Sequence, residues 1–199
     1  MFYRFAAAIL YPIVMLRFRL KIIGRERIPD GAAIFCANHS SLWDPVLIGV
    51  GLSRRKPICF MAKKELFSYP IFGAMIRRLG AFPVERDSAD LGTIRKSIAV
   101  LKGGKKLLLF PEGHRMRDGE LKQHEVKTGV AMIATRAKVP IVPIYLSSDK
   151  RITHRTVLMV GEPILPEARE GSNADNYKRI ADAAFRSICA LEEEAACKA

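Results

Sequence analysis

The chain has 199 residues, of which 49% are hydrophobic and 27% are charged, as in a globular domain with its own core. A domain of this size needs no disulfide or metal to hold it together, and its four cysteines lack the close pairs of a zinc site or a disulfide framework. The formal net charge of +13 favours an anionic partner such as nucleic acid, anionic lipid or a phosphorylated substrate. A solvated basic surface without a partner stays open as the alternative.

The N-terminus carries an apolar run, Phe5–Leu16, with Arg4 before it and Arg17 after it. Twelve residues are too few to span a bilayer, which takes about 20. Basic residues follow the run where a signal peptide would have small ones. Residues 1–24 are therefore predicted to form a helical segment that lies in one leaflet, with its basic residues on anionic headgroups. A buried core helix is the alternative.

The remaining residues, 25–199, alternate short apolar runs with amphipathic stretches, which predicts a single α/β domain. Several runs are continuously apolar, as in strands covered on both faces, so we expect a mixed, mostly parallel central sheet covered by helices. The predicted strands are Ala32–Cys36, Pro57–Met61, Ala81–Val84, Lys106–Phe110, Ile141–Tyr145 and Val157–Val160. The predicted helices are Trp43–Val50, Pro70–Leu79, Ala89–Leu101, Val126–Ala137 and Asn176–Glu194.

The segment Asn38–Pro45 follows a predicted strand and precedes a predicted helix, which is where α/β proteins place their sites. An unperturbed histidine has a pKa of about 6.5, so His39 is suited to act as a general base at neutral pH. On one continuous helix His39 and Asp44 would point about 140° apart, so they form a pair only if a helix starts between them. Ser41 and Asp44 have the spacing of a capping box, which favours such a start. Asp44 as a simple helix cap is the alternative, and a serine nucleophile lacks its G-x-S-x-G elbow.

Three further segments follow predicted strands or form one. Phe110-Pro-Glu-Gly-His-Arg115 is a turn that presents Glu112 and Arg115 together, and an arginine fork is suited to phosphate. Gly80–Arg86 again ends an apolar strand with an arginine, and Val139–Ile144 is an apolar strand punctuated by prolines. A turn with a surface ion pair is the alternative for the first of these segments.

In this order and at these separations, the four segments resemble the blocks of the glycerolipid acyltransferase family, typified by enzymes that acylate lysophosphatidic acid. Residues His39 through Asp44 match the H-x-x-x-x-D block, and Phe110-Pro-Glu-Gly is similar to the start of the F-P-E-G-T-R block. The resemblance covers roughly residues 25–165. It departs from the family at His114, where a threonine is usual, and this leaves the acceptor open.

The resemblance implies transfer of a fatty acyl group from acyl-CoA or acyl carrier protein to the sn-2 hydroxyl of lysophosphatidic acid. His39 would be the general base and Asp44 its partner, and the residues expected to bind the acceptor are Arg86, Glu112, Gly113 and Arg115. No cofactor and no metal are expected. The enzyme would act at the cytoplasmic face of the cell membrane, as a peripheral or monotopic protein with the bilayer as its partner and without nucleic acid.

Two other functions remain open at this stage. One is the same chemistry on glycerol-3-phosphate or another lysolipid, because the blocks are shared while acceptor choice depends on pocket shape. The other is a non-catalytic basic protein that binds membrane or nucleic acid, which the net charge alone supports.

Overall fold

The computed structural model describes residues 2–53, 56–84, 91–113, 127–151, 153–167 and 172–198, and in these residues seven strands form one sheet. The strands are β1 Lys21–Ile23, β2 Ile34–Ala37, β3 Cys59–Lys63, β4 Ala81–Val84, β5 Leu107–Leu109, β6 Ile141–Leu146 and β7 Val157–Val160. Their order across the sheet is β1-β7-β6-β2-β5-β3-β4. All neighbouring pairs are parallel except β6 and β7. The predicted mixed, mostly parallel α/β sheet is confirmed.

The helices are α1 Phe2–Phe18, α2 Asp44–Leu52, α3 Pro70–Arg78, α4 Leu91–Lys102, α5 Gly129–Ala137 and α6 Asn173–Lys198. Side chains from α1 and α2 pack on one face of the sheet, against Phe35 and Ala37 of β2. Side chains from α4, α5 and α6 pack on the other face, against Ile34 and Cys36. All four residues of β2 are buried because both faces are covered, and this explains why its sequence does not alternate.

The N-terminal helix α1 belongs partly to the core. Val14 and Phe18 are buried against the sheet, and the hydroxyl of Tyr3 donates a hydrogen bond to the carbonyl of Ser53 beyond α2. The strand β1 then pairs with β7 at the edge of the sheet. The packing of α1 thus agrees in part with the core-helix alternative. The boundary between an N-terminal segment, residues 1–24, and the α/β domain stays a prediction. Among the described residues, no helix is both long enough and apolar enough to cross a bilayer.

The sheet places the ends of several strands together. Because β2, β3, β4, β5 and β6 run in the same direction, their carboxyl ends lie along one edge. His39 follows β2 by two residues, and Glu112 follows β5 by three. The loop that contains Lys150 follows β6. This edge therefore gathers the first and third sequence blocks, as in other α/β proteins whose sites lie beyond the carboxyl ends of their strands.

Candidate active site

The structure brings His39 and Asp44 into contact. Nδ1 of His39 lies 2.9 Å from Oδ2 of Asp44, and both side chains are buried. The helix α2 begins at Asp44 with Pro45 in its first turn, so the chain turns between the two residues. This is the arrangement that their five-residue spacing required. An Asp partner on Nδ1 leaves Nε2 as the nitrogen that can accept a proton.

Asp44 is held by several donors at once. Besides His39, the backbone N–H groups of Ser40 and Ser41 each donate to Oδ2 at 2.7 Å. Nζ of Lys150 lies 2.9 Å from the other oxygen, Oδ1. Burial alone would raise the pKa of Asp44, but the hydrogen bond from His39, the charge of Lys150 and the Ser41 N–H together hold it below its usual value. The carboxylate therefore stays ionised and fixed in one orientation at neutral pH.

The predicted capping box is formed in part. The carboxylate of Asp44 accepts the N–H of Ser41, which is the return half of such a box. The hydroxyl of Ser41, however, accepts the N–H of Trp43 at 3.2 Å rather than that of Asp44. Asp44 thus serves the helix start and the histidine together, so the helix-cap alternative and the paired-base interpretation describe one geometry.

Two further side chains fix the position of His39. The ring of Phe110, which follows β5, stacks on the imidazole with centroids 4.0 Å apart and planes 16° apart. Asn38 extends the pairing of β2 with β6: its Nδ2 donates to the carbonyl of Leu146 at 2.9 Å, and its Oδ1 accepts the N–H of Leu146 at 2.8 Å. The loop that carries His39 is thereby tied to both neighbouring strands.

The turn after β5 supplies a second carboxyl group. Glu112 is buried, and burial raises its pKa to about 7, with a smaller contribution from the negative charge of Asp44. Gly113 has a φ of +75°, a conformation that favours glycine. A Cβ at Gly113 would lie 2.8 Å from Nζ of Lys127, so the lysine side chain passes directly beside this turn. The site at the sheet edge therefore includes a carboxyl group that keeps its proton on part of the molecules at neutral pH, and an adjacent cation.

Some predicted site residues lie beyond what the structure describes. Arg86, Arg115 and the unusual His114 all fall outside the described residues. Their roles stay predictions from the sequence. Of the six candidate site residues, the described ones are His39, Asp44, Glu112 and Gly113.

Sequence reasoning gave no role to four residues that the fold places here. Phe110 and Asn38 lie inside two of the four sequence segments, but the sequence does not show which residues they contact. Lys127 lies within the residues that the resemblance covers, but the sequence assigns it no role. Lys150 lies after the last block, in a loop with no recognisable pattern, and only its packing against Asp44 identifies it.

Comparison with known proteins agrees with this arrangement. The profile of the family described as Acyltransferase matches residues 19–147, which is more than half of the chain. This chain belongs to the acyltransferase family. The matched region contains the paired His39 and Asp44 and the turn with Glu112, and the family resemblance inferred from the sequence is confirmed.

Individual relatives carry a more specific name. A 1-acyl-sn-glycerol-3-phosphate acyltransferase of Streptococcus pneumoniae is 33% identical over 177 residues, which span 85% of this chain and 64% of that protein. One of Bacillus subtilis is 33% identical over 168 residues, spanning 81% and 82%. The crystal structure of the 1-acyl-sn-glycerophosphate (LPA) acyltransferase PlsC from Thermotoga maritima aligns with a TM-score of 0.67 at 27% identity. That alignment covers 96% of this chain and 78% of the other.

Proposed function

We propose that this enzyme transfers a fatty acyl group from acyl-CoA or acyl carrier protein to the sn-2 hydroxyl of lysophosphatidic acid, giving phosphatidic acid. The observation that carries the proposal is the buried contact between His39 and Asp44 at the strand-end edge of a family member. The relatives at 33% identity, which bear the name of this reaction, support the choice of acceptor.

The geometry suits direct transfer. Nε2 of His39 takes the proton from the acceptor hydroxyl as its oxygen attacks the thioester carbonyl carbon. The tetrahedral intermediate collapses with cleavage of the C–S bond, and the imidazolium returns the proton to the departing thiolate. Asp44 keeps the proton of the imidazole on Nδ1 and stabilises the positive charge on the ring while it exists. A thioester is already activated, so no covalent enzyme intermediate is required.

The acceptor headgroup is assigned to the turn after β5. Glu112 is suited to bind a glycerol hydroxyl, because a carboxyl group with a pKa of about 7 can both donate and accept a hydrogen bond near neutral pH. Gly113 lets the backbone approach the ligand. Arg86 and Arg115 stay the predicted phosphate ligands, and Lys127, beside Gly113, adds a third cation for the same group.

The proposal includes attachment to one leaflet of the membrane through α1. Its side chains Phe5, Ile9, Ile13 and Leu16 recur at helical spacing and are between 49% and 80% exposed. The helix α3 presents another exposed apolar group, with Ile71 87% exposed. The guanidinium carbon of Arg78, at the end of α3, lies 5.5 Å from the ring centroid of Phe2 in α1. The start of α1 therefore adjoins the end of α3, and the arginine at this contact is suited to an anionic headgroup.

The other end of α1 adjoins the residue that precedes Asp44. The ring of Trp43, the residue before Asp44, lies 5.3 Å from the ring of Phe18 and is 46% exposed. Leu42 beside it is 74% exposed. An exposed tryptophan next to a leucine is suited to the interfacial zone of a bilayer. Contact here would let lipid substrates enter without crossing water.

The reaction is tested by its product. The purified chain is incubated with lysophosphatidic acid and either palmitoyl-CoA or palmitoyl-acyl carrier protein, and phosphatidic acid is measured by mass spectrometry. Parallel reactions offer glycerol-3-phosphate and lysophosphatidylcholine. Phosphatidic acid from at least one donor is expected. Products from another acceptor alone would contradict the assignment of the acceptor but not the acyl transfer.

The membrane orientation is tested by intrinsic fluorescence, because Trp43 is the one tryptophan of the chain. Vesicles containing phosphatidylglycerol with brominated acyl chains should quench its emission, whereas unbrominated vesicles should not. Sedimentation with vesicles but no quenching by brominated lipid would mean that another surface makes the contact.

A further inference from the structure

The loop after β6 directs a lysine with a largely buried side chain toward the pair of His39 and Asp44. The side chain of Lys150 is only 9% exposed, and its Nζ lies 2.9 Å from Oδ1 of Asp44. The same ammonium group donates hydrogen bonds to Oγ of Ser40 at 2.7 Å and to the carbonyl of Ser147 at 3.0 Å. Three oxygen atoms thus surround the three-proton donor, and two of them belong to residues of the first sequence block.

The two oxygens of Asp44 have separate partners. Oδ2 faces His39 and two backbone N–H groups, while Oδ1 faces Lys150. Removing a lysine from water is costly unless its charge is paired, and the same holds for a carboxylate. Lys150 and Asp44 therefore offset each other's desolvation cost. With a neutral imidazole the group of three has no net charge. The pair is therefore held by a charged residue from another strand end.

We propose that Lys150 is a positioning residue for general-base catalysis: its ammonium group fixes the Asp44 carboxylate and sets the pH range in which His39 is an active base. The catalytic part of this inference rests on the proposed function, but the electrostatic part does not. Lys150 touches neither the imidazole in the described contacts nor any assigned acceptor group, and it acts through Asp44.

The sign of the electrostatic effect follows from the charges. The Asp44 carboxylate stabilises an imidazolium on His39, and the positive charge of Lys150 opposes that stabilisation. Without the positive charge of Lys150, the protonated form of His39 should persist to a higher pH. Other charged groups near the set include Glu112, beyond β5, Lys127, beside Gly113, and Arg17 of α1, which donates to the Lys150 carbonyl at 3.2 Å. All three are unchanged in the variants below, so the shift can be assigned to position 150.

The kinetic test compares Lys150→Met, Lys150→Arg and the exposed control Lys102→Met in the lysophosphatidic acid reaction. Lys150→Met should lower kcat by about 10- to 100-fold, as is common when a group that orients a reactive histidine is removed. KM for both substrates should change less than about twofold, because Lys150 contacts no assigned acceptor group and its loss should leave ground-state binding unaffected. The acid limb of the kcat/KM profile should move to higher pH. Lys150→Arg should keep the wild-type acid limb, and Lys102→Met should match the wild type throughout.

A folded Lys150→Met protein with unchanged kcat and unchanged acid limb would overturn the proposal. So would a loss of activity with the acid limb unmoved, because that is the result of packing damage alone. Circular dichroism and thermal melting check the fold. Should Lys150→Met not fold, Lys150→Arg carries the test: its planar guanidinium cannot reproduce all three contacts, so kcat should fall severalfold. A wild-type kcat in that variant would then overturn the proposal.

A measurement without turnover separates this inference from the proposed function. The chain has four histidines, so ring ¹⁵N spectra are simple, and His39→Gln identifies the signal of His39. The wild type should show the tautomer protonated at Nδ1, and Lys150→Met should move the titration midpoint of that signal to higher pH. An inactive wild type with this shift would refute the reaction and leave Lys150 in its role. An active wild type without the shift would do the reverse.

Discussion

Phe110 is the aromatic side chain that lies flat on the imidazole of His39, at a centroid distance of 4.0 Å. Because the ring limits rotation of the histidine about its side-chain bonds, its loss should broaden the orientations of the base. We expect Phe110→Ala to lower kcat by about 10-fold, whereas Phe110→Tyr keeps the ring and should stay close to the wild type. Steady-state kinetics at saturating substrate measures this. Equal activity of the two variants would mean that the stacking does not position the base.

Glu112 should make stability depend on pH. Its pKa in the folded chain is about 7 against an ordinary 4.5, so the folded state holds a proton that the unfolded state has released. The stabilisation by the neutral acid is complete below pH 4.5 and is lost as the pH rises to about 7. Relative to Glu112→Gln, the free energy of unfolding should fall by about 3 kcal/mol over that interval. Urea unfolding at several pH values measures the difference, and a constant difference would show that Glu112 is not buried.

At the level of single residues, spacing and a helix start made the contact between His39 and Asp44 possible, and the family resemblance assigned it. Spacing and a helix start are local properties, so they could be read along the chain. The contacts of Asn38 with Leu146 and of Lys150 with Asp44 join residues 108 and 106 positions apart. Such contacts depend on which strands become neighbours, and nothing in a short motif encodes that.

At the level of elements, α1 has one buried face and one exposed face. Val14 is fully buried against the sheet, while Ile9, Ile13 and Leu16 are exposed. Removing residues 1–21 would therefore take away core side chains and part of β1 along with the exposed face. Substitutions on one face at a time separate membrane binding from stability.

The paired variants make the prediction specific. Changing Ile9, Ile13 and Leu16 to Gln should release the protein from anionic vesicles and leave its unfolding free energy nearly unchanged. Val14→Ala should lower that free energy by about 2 kcal/mol through the cavity it leaves, and should keep vesicle binding. Vesicle sedimentation and urea unfolding measure the two properties. Vesicle binding by the triple Gln variant at the wild-type level would contradict the role of this face.

The elements themselves were largely predictable. The strands β4 and β7 have the predicted bounds. The other four predicted strands begin and end within two residues of the bounds that the structure shows. These strands were predictable because each is a continuous apolar run between turns. The strand β1 was not predicted, because Lys21–Ile23 has only three residues and is half-buried at the sheet edge. The segment is held as a strand by its pairing with β7 and not by a pattern in its own sequence.

At the scale of the whole molecule, the proposed orientation on a bilayer brings together the charge, the exposed apolar surface and the site. The net charge of +13 suits a surface with anionic lipids and phosphorylated substrates. The helix α1 meets α3 at one end and Trp43, the residue before Asp44, at the other. An enzyme placed this way would have its base at the level where lysolipid hydroxyl groups lie.

The measurement that tests the central claim most directly is thiol release from palmitoyl-CoA in detergent micelles, with and without lysophosphatidic acid. It compares the wild type, His39→Ala and the control His154→Ala, whose histidine is exposed. Release should require the lysolipid, fall at least about 100-fold in His39→Ala and persist in His154→Ala. Lysolipid-dependent release at a near-normal rate from His39→Ala would contradict the assignment of His39 as the base.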